Sequence, residues 1–103
     1  MSQVYRILFL PEARLDLKEI IAWYNQQKPG LGKQFFEFMR SKLAYIQKTP
    51  LHFQVDYKEI RNAHLDKFPY QIHYRINDEG QAIIVLAITH TSRNPEIWKN
   101  RRG

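Results

Sequence analysis

The apolar positions of this chain change their spacing several times, and each change marks a new element. Tyr5 to Leu10, YRILFL, reads as a first strand that ends at Pro11, which has no N–H to give a ladder. From Glu12 the period lengthens. Ala13, Leu17, Ile20, Ile21 and Tyr24 recur at helical spacing, with Asp16, Lys18, Glu19, Asn25 and Gln26 largely on the other side. Glu12 suits the first turn of that helix, where a carboxylate meets the positive end of the dipole. Lys28-Pro29-Gly30 stops it. A second helix is predicted over Leu31 to Lys48, with Phe35, Met39, Leu43 and Ile46 as its inner stripe and Phe36 widening it. Thr49-Pro50 ends this helix, because a residue before proline avoids the helical region. So short a turn between the two helices predicts an antiparallel hairpin.

Past Pro50 the period falls to two. Val55 to Arg61 reads as a short strand. Phe68 to Ile76 alternates cleanly, with Phe68, Tyr70, Ile72, Tyr74 and Ile76 on one face and Gln71, His73 and Arg75 on the other. Asn77-Asp78-Glu79-Gly80 is a turn. Gln81 to Thr89 is apolar on both faces, which predicts an interior strand covered on both sides. Asn94 to Lys99 reads as a short last helix, capped by Asn94 with Pro95 at its first position. The expected fold is therefore α+β: an N-terminal strand, an antiparallel helical hairpin, then a three-stranded antiparallel meander. A chain of 103 residues supports one domain with one main core, here residues 1–103.

This order in a chain of this length resembles the RelE/ParE family of toxins from type II toxin–antitoxin systems, and its ParE-like branch in particular. Four segments carry the resemblance: YRILFLPEARLDLKEIIAWY, PGLGKQFFEFMRSKLAYIQKTP, FPYQIHYRI with the turn and apolar strand after it, and HTSRNPEIWKNR, with His90, Arg93, Pro95 and Trp98. The resemblance implies a cytoplasmic toxin with a cognate, co-encoded antitoxin that wraps and silences it. It also implies a cellular target. ParE-like members poison DNA gyrase by binding it, whereas RelE-like members cut mRNA in the ribosome without a metal. A third possibility is a weakly toxic relative that serves mainly as a regulatory partner.

The residues bear on that division. The cleaving branch has an arginine after the aromatic residue of the FPYQIHY-like strand and a tyrosine near the C-terminus. Here Gln71 and Trp98 stand in those places, and neither supplies a charge or a proton-transfer group. That favours a gyrase-binding toxin. If the chain is a nuclease, the substitute catalytic set is His73 and Arg75 on one strand with His90 and Arg93 at the end of the next, a histidine acting as general acid or base beside two arginines. The alternative for each histidine is structural: His73 as a partly exposed surface residue, His90 as a hydrogen-bonder in a turn.

Charge adds a partner surface to this picture. Sixteen Lys and Arg against ten Asp and Glu give a formal +6, and the excess gathers near the C-terminal end. Arg61, Arg93, Trp98, Lys99, Arg101 and Arg102 are the candidates for contact with the antitoxin or target, and Trp98 is alternatively core closure. Trp23 and Tyr24 are expected mostly between the helices, with Trp23 alternatively covered by the antitoxin. With no cysteine and no close His pairing there is neither a disulfide framework nor a zinc-like site, so no metal and no cofactor are expected. Phosphate-loop, dinucleotide and nucleophile-elbow motifs are missing. The longest apolar run, Ala82 to Ile88, has seven residues, far short of a membrane span.

Overall fold

A computed structural model describes residues 5–92 and 95–101; Arg93, Asn94 and Arg102, all singled out above, lie outside them. The described elements run β1 (Arg6–Phe9), α1 (Pro11–Gln27), α2 (Leu31–Lys48), β2 (Val55–Tyr57), β3 (Ile60–His64), β4 (Tyr70–Asn77), β5 (Ala82–His90) and α3 (Glu96–Lys99). This is the expected α+β architecture. The five strands form one sheet in the order β1-β5-β4-β3-β2. Every neighbouring pair is antiparallel except β1 with β5, which run parallel from Arg6↔Ala82 to Phe9↔Val85.

The segment expected as one strand over 55–61 is a hairpin, so the meander has a fourth strand. Lys58 makes the turn with φ at 52°, and Tyr57 pairs with Ile60 across it. No glycine or asparagine marks that turn, which is why composition did not reveal it.

The hairpin α1–α2 covers one face of the sheet. Ala13, Ile20 and Tyr24 from α1, and Phe35, Met39 and Ile46 from α2, meet Ile72, Tyr74, Ile83, Val85 and Ile88. The helices approach each other closely at Gly32. A Cβ there would lie 2.6 Å from the Ile21 carbonyl oxygen, and the Gly32 N–H donates to Asn25 Oδ1 at 2.9 Å. Gly30, just before α2, has φ at 90°, a conformation open to glycine at little cost. Phe36 points away from this core and is 40% exposed, so the inner stripe of α2 is narrower than its apolar pattern.

Strand β5 lies between β1 and β4, and residues 82–89 are all buried. The reason is two-sided cover. Tyr74 pairs with Val85 but His73 pairs with Ala87, leaving Leu86 as an extra residue in β5. That bulge turns both Leu86 and Ala87 toward the side away from the helical hairpin, where they join a second small core with Ile60 and Trp98. Among the described residues no helix is long and apolar enough to cross a membrane.

Candidate functional site

The sheet face opposite the hairpin carries most of the residues that the sequence singles out. Alternation along β4 directs His73 and Arg75 to that face, and the bulge in β5 keeps Thr89 beside His73. Helix α3 lies across it. Its Trp98 is 2% exposed, and the indole stacks on the His73 ring at 4.3 Å and 19°. His73 is therefore fully buried, not the partly exposed residue that alternation suggested. A distant segment supplies its cover.

Both His73 ring nitrogens are engaged. Asn62 Nδ2 donates to Asp56 at 2.8 Å, which leaves Asn62 Oδ1 to accept from His73 Nδ1–H at 2.5 Å. Nε2 then accepts the Thr89 hydroxyl proton at 2.7 Å. Burial away from water lowers the His73 pKa to about 3. The exposed Asp56 opposes that shift, and Arg101 and His64 add to it. A neutral ring whose two nitrogens and one face are occupied is placed to hold the sheet and α3 together. It is not placed to exchange protons with a substrate.

Arg101 is committed as well. It forms a two-pronged pair with Asp16 of α1, Nη1 to Oδ2 at 2.6 Å and Nη2 to Oδ1 at 3.3 Å, and donates to the Leu86 carbonyl oxygen at 3.0 Å. Asp16 Oδ2 also accepts the Ile88 N–H at 3.1 Å. Both side chains are largely buried. The pair fastens the segment after α3 to α1 and caps the edge of β5 just where β1 has left it.

Beside α3 these elements enclose a basic concavity of about 450 Å³, lined by Tyr57, Lys58, Arg75, Lys99 and Arg101 among others. The ammonium groups of Lys58 and Lys99 lie 5.3 and 4.7 Å from the centre of the Tyr57 ring. Lys58, Arg75 and Lys99 outnumber Glu59, the one carboxylate in the lining, and Arg101 is already paired with Asp16. The concavity is therefore net basic, a site for anionic groups, either carboxylates of a protein or phosphodiesters.

Of the sequence candidates, then, Arg75, Lys99 and Arg101 come together, and Trp98 lies beneath them as a core residue. Arg61 does not join them. It lies on the hairpin side of the sheet and donates to the Phe53 carbonyl oxygen at 2.5 Å, holding the loop after α2. His90 stands at the far end of β5, where its Nδ1 accepts the Ser92 N–H at 3.1 Å and its ring meets Tyr70. The proposed pairing of His73 with His90 around a substrate therefore fails: one ring is sealed and the other lies apart from the concavity. Sequence reasoning missed Tyr57, Lys58 and Asp16. The first two were hidden in an unrecognised hairpin, and Asp16 looked like a solvated helix residue. Among the described residues no three His, Asp or Glu side chains gather as a metal site would require.

The ParE toxin family of the type II toxin–antitoxin system parDE matches residues 7–95. Toxin ParE2 of Mycobacterium tuberculosis is 31% identical over 81 residues, 78% of this chain and 75% of its own length. Two solved structures share the fold. The chromosomal ParDE system from P. aeruginosa superposes with a TM-score of 0.73 at 17% identity, covering 86% of this chain and 98% of that one. The intact E. coli RelBE toxin–antitoxin complex gives a TM-score of 0.68 at 17% identity, covering 86% and 99%. With most of its length inside the family match, this chain belongs to the ParE family of toxins from type II toxin–antitoxin systems.

Proposed function

We propose that this protein arrests growth by binding DNA gyrase, without chemistry of its own, and that a co-encoded antitoxin neutralises it. The observation that carries the binding reading is the fate of the acid–base candidates. His73 is sealed under Trp98 with both nitrogens bonded, and His90 lies outside the basic concavity. Cleavage of RNA needs a group that moves a proton at the 2′-hydroxyl or the leaving oxygen. Gln71 and Trp98 stand where the cleaving branch carries arginine and tyrosine. The match to the ParE branch points the same way. An antitoxin partner is supported by the relatives, since the P. aeruginosa and E. coli structures are named as toxin–antitoxin systems.

The concavity favours one other reading. Tyr57, flanked by two ammonium groups and near Arg75, is arranged as a metal-independent ribonuclease would place a phenol beside a phosphate. One experiment separates the two. Purified toxin is added to a gyrase supercoiling assay and, in parallel, to translating ribosomes whose message ends are mapped. Lost supercoiling with intact messages supports the gyrase reading. Discrete new message ends that vanish in Tyr57→Phe would replace it with the nuclease. If soluble toxin does neither, and its induced expression leaves growth normal, the protein is a regulatory partner instead.

A further inference from the structure

We infer that the cleft between α1 and the open edge of β5 is a second docking site, one that takes an extended, basic segment of a partner protein with an arginine or lysine side chain in its pocket. This stands apart from the toxin reading and holds whatever the target is. Strand β1 pairs with β5 only as far as Val85, because the chain turns into α1 at Pro11. Among the described residues no strand continues the ladder on that side of β5. Asp16 and Arg101 occupy Ile88 N–H and the Leu86 carbonyl. Alternation then directs the main-chain groups of His90 to the same side. Next to this edge lies a cleft of about 170 Å³.

Its walls decide what fits. Glu12, Asp16, Glu19 and Trp23 recur at i, i+4, i+7 and i+11, one stripe down α1. The cleft is lined by the last three of these, with Tyr70, Ile88 and His90 opposite. Asp16 is already paired with Arg101, so the carboxylate left for a ligand is Glu19, which is exposed and has no ion-pair or hydrogen-bond partner among the described residues. Trp23 is 52% exposed rather than packed between the helices, its ring meeting Tyr24 in a T-shaped contact. A carboxylate beside an exposed indole and a phenol is the combination that holds a guanidinium or ammonium group, by charge on one side and by the ring face on the other. On a chain of net +6 such an acidic, aromatic stripe selects a partner of opposite character to the one drawn by the basic concavity. The strand edge adds a main-chain component, so an extended segment suits it better than a helix.

The test uses the full-length toxin and two synthetic pentapeptides. One is Thr-Val-Arg-Val-Thr with blocked ends; the other carries the uncharged isostere citrulline in place of arginine. Amide chemical shifts are followed by NMR during titration. Saturable shifts are expected in residues 19–23 and 88–90, with the citrulline peptide weaker by about fivefold, the scale of one exposed ion pair plus one cation–π contact. Glu19→Gln should shrink that difference and Glu19→Gln with Trp23→Leu should abolish it. Both side chains are exposed, so dispersed spectra of the variants will confirm that they fold. Equal binding of the two peptides, shifts centred on Lys58 and Lys99, or no saturation would each overturn the inference. So would shifts of the same amides on raising toxin concentration without peptide, which would assign the cleft to a second copy of this chain.

Discussion

A histidine with both nitrogens bonded and an indole against its face makes the stability of this toxin sensitive to acid. In the unfolded chain His73 takes up a proton near pH 6.5; in the folded protein burial holds that back to about pH 3. The unfolded state thus binds more protons throughout that window, so the stability His73 provides is complete above pH 6.5 and is lost as pH falls toward 3. Denaturant midpoints of the wild type and His73→Gln, measured at several pH values, should converge as the medium is acidified, by at most about 1.4 kcal/mol per pH unit. A gap that does not change with pH would show that His73 is not buried neutral. The Asp16–Arg101 pair gives a second prediction. Removing one partner strands the other in a largely buried site, so Asp16→Ala and Arg101→Ala should each cost roughly 3 kcal/mol, and the double variant far less than their sum. Additive losses in the double-mutant cycle would mean that the two side chains act separately. Neither arrangement was legible in the sequence. The alternating pattern correctly placed His73 on the face away from the helices, but nothing local announced that Trp98 would cover it. Asp16 and Arg101 lie at opposite ends of the chain.

Elements were easier to read than their junctions. The helical hairpin followed from apolar spacing and two proline stops, and its observed bounds, Pro11–Gln27 and Leu31–Lys48, lie close to those expected. Two-sided burial of β5 followed from an unbroken apolar run. What escaped was decided by backbone geometry without a compositional marker. Lys58 takes a left-handed turn with neither glycine nor asparagine present, and the bulge at Leu86 interrupts a run whose residues are all apolar. The glycine at the helix crossing was equally silent, since glycine between a turn and a helix is expected anyway. Its role is testable. In Gly32→Ala the new methyl meets the Ile21 carbonyl and the Asn25 side chain, and of these only the Asn25 amide can swing away. Helix propensity favours alanine by about 1 kcal/mol. Overpacking against main chain costs about 1–3 kcal/mol, so the net change expected is a loss of stability and of the Asn25 hydrogen bond. A thermal midpoint equal to or above the wild type would show that the helices can part at this point without cost.

For the whole molecule the order of elements was the informative feature, because strand, hairpin and meander in one short chain leave few ways to close a single sheet. Charge was read correctly in sign but only partly in place. The C-terminal cations do not project together. Arg101 is tied to Asp16, whereas Lys99 joins Lys58 and Arg75, which come from β4 and the missed hairpin. A net charge of +6 with such a concavity should steer an acidic partner toward this face. Association with the antitoxin, followed by stopped flow, is expected to slow by about tenfold or more between low and high salt, and Lys99→Glu should flatten that dependence. A rate indifferent to salt would assign the antitoxin contact to the apolar surface alone.

The parallel pairing of β1 with β5 has a consequence for how the toxin comes into being. Strand β1 is synthesised before every other described element, yet the strand it pairs with begins only at Ala82, and the ion pair that caps the same edge waits for Arg101. During translation the helical hairpin can form early, but it has no sheet to rest on, and the apolar faces of β1, α1 and α2 must wait until β4 and β5 have emerged. A functional surface therefore arises in one late, cooperative step. That leaves a window in which the emerging chain is vulnerable to aggregation and proteolysis, and in which a partner able to cover those faces would act as a chaperone of its own target.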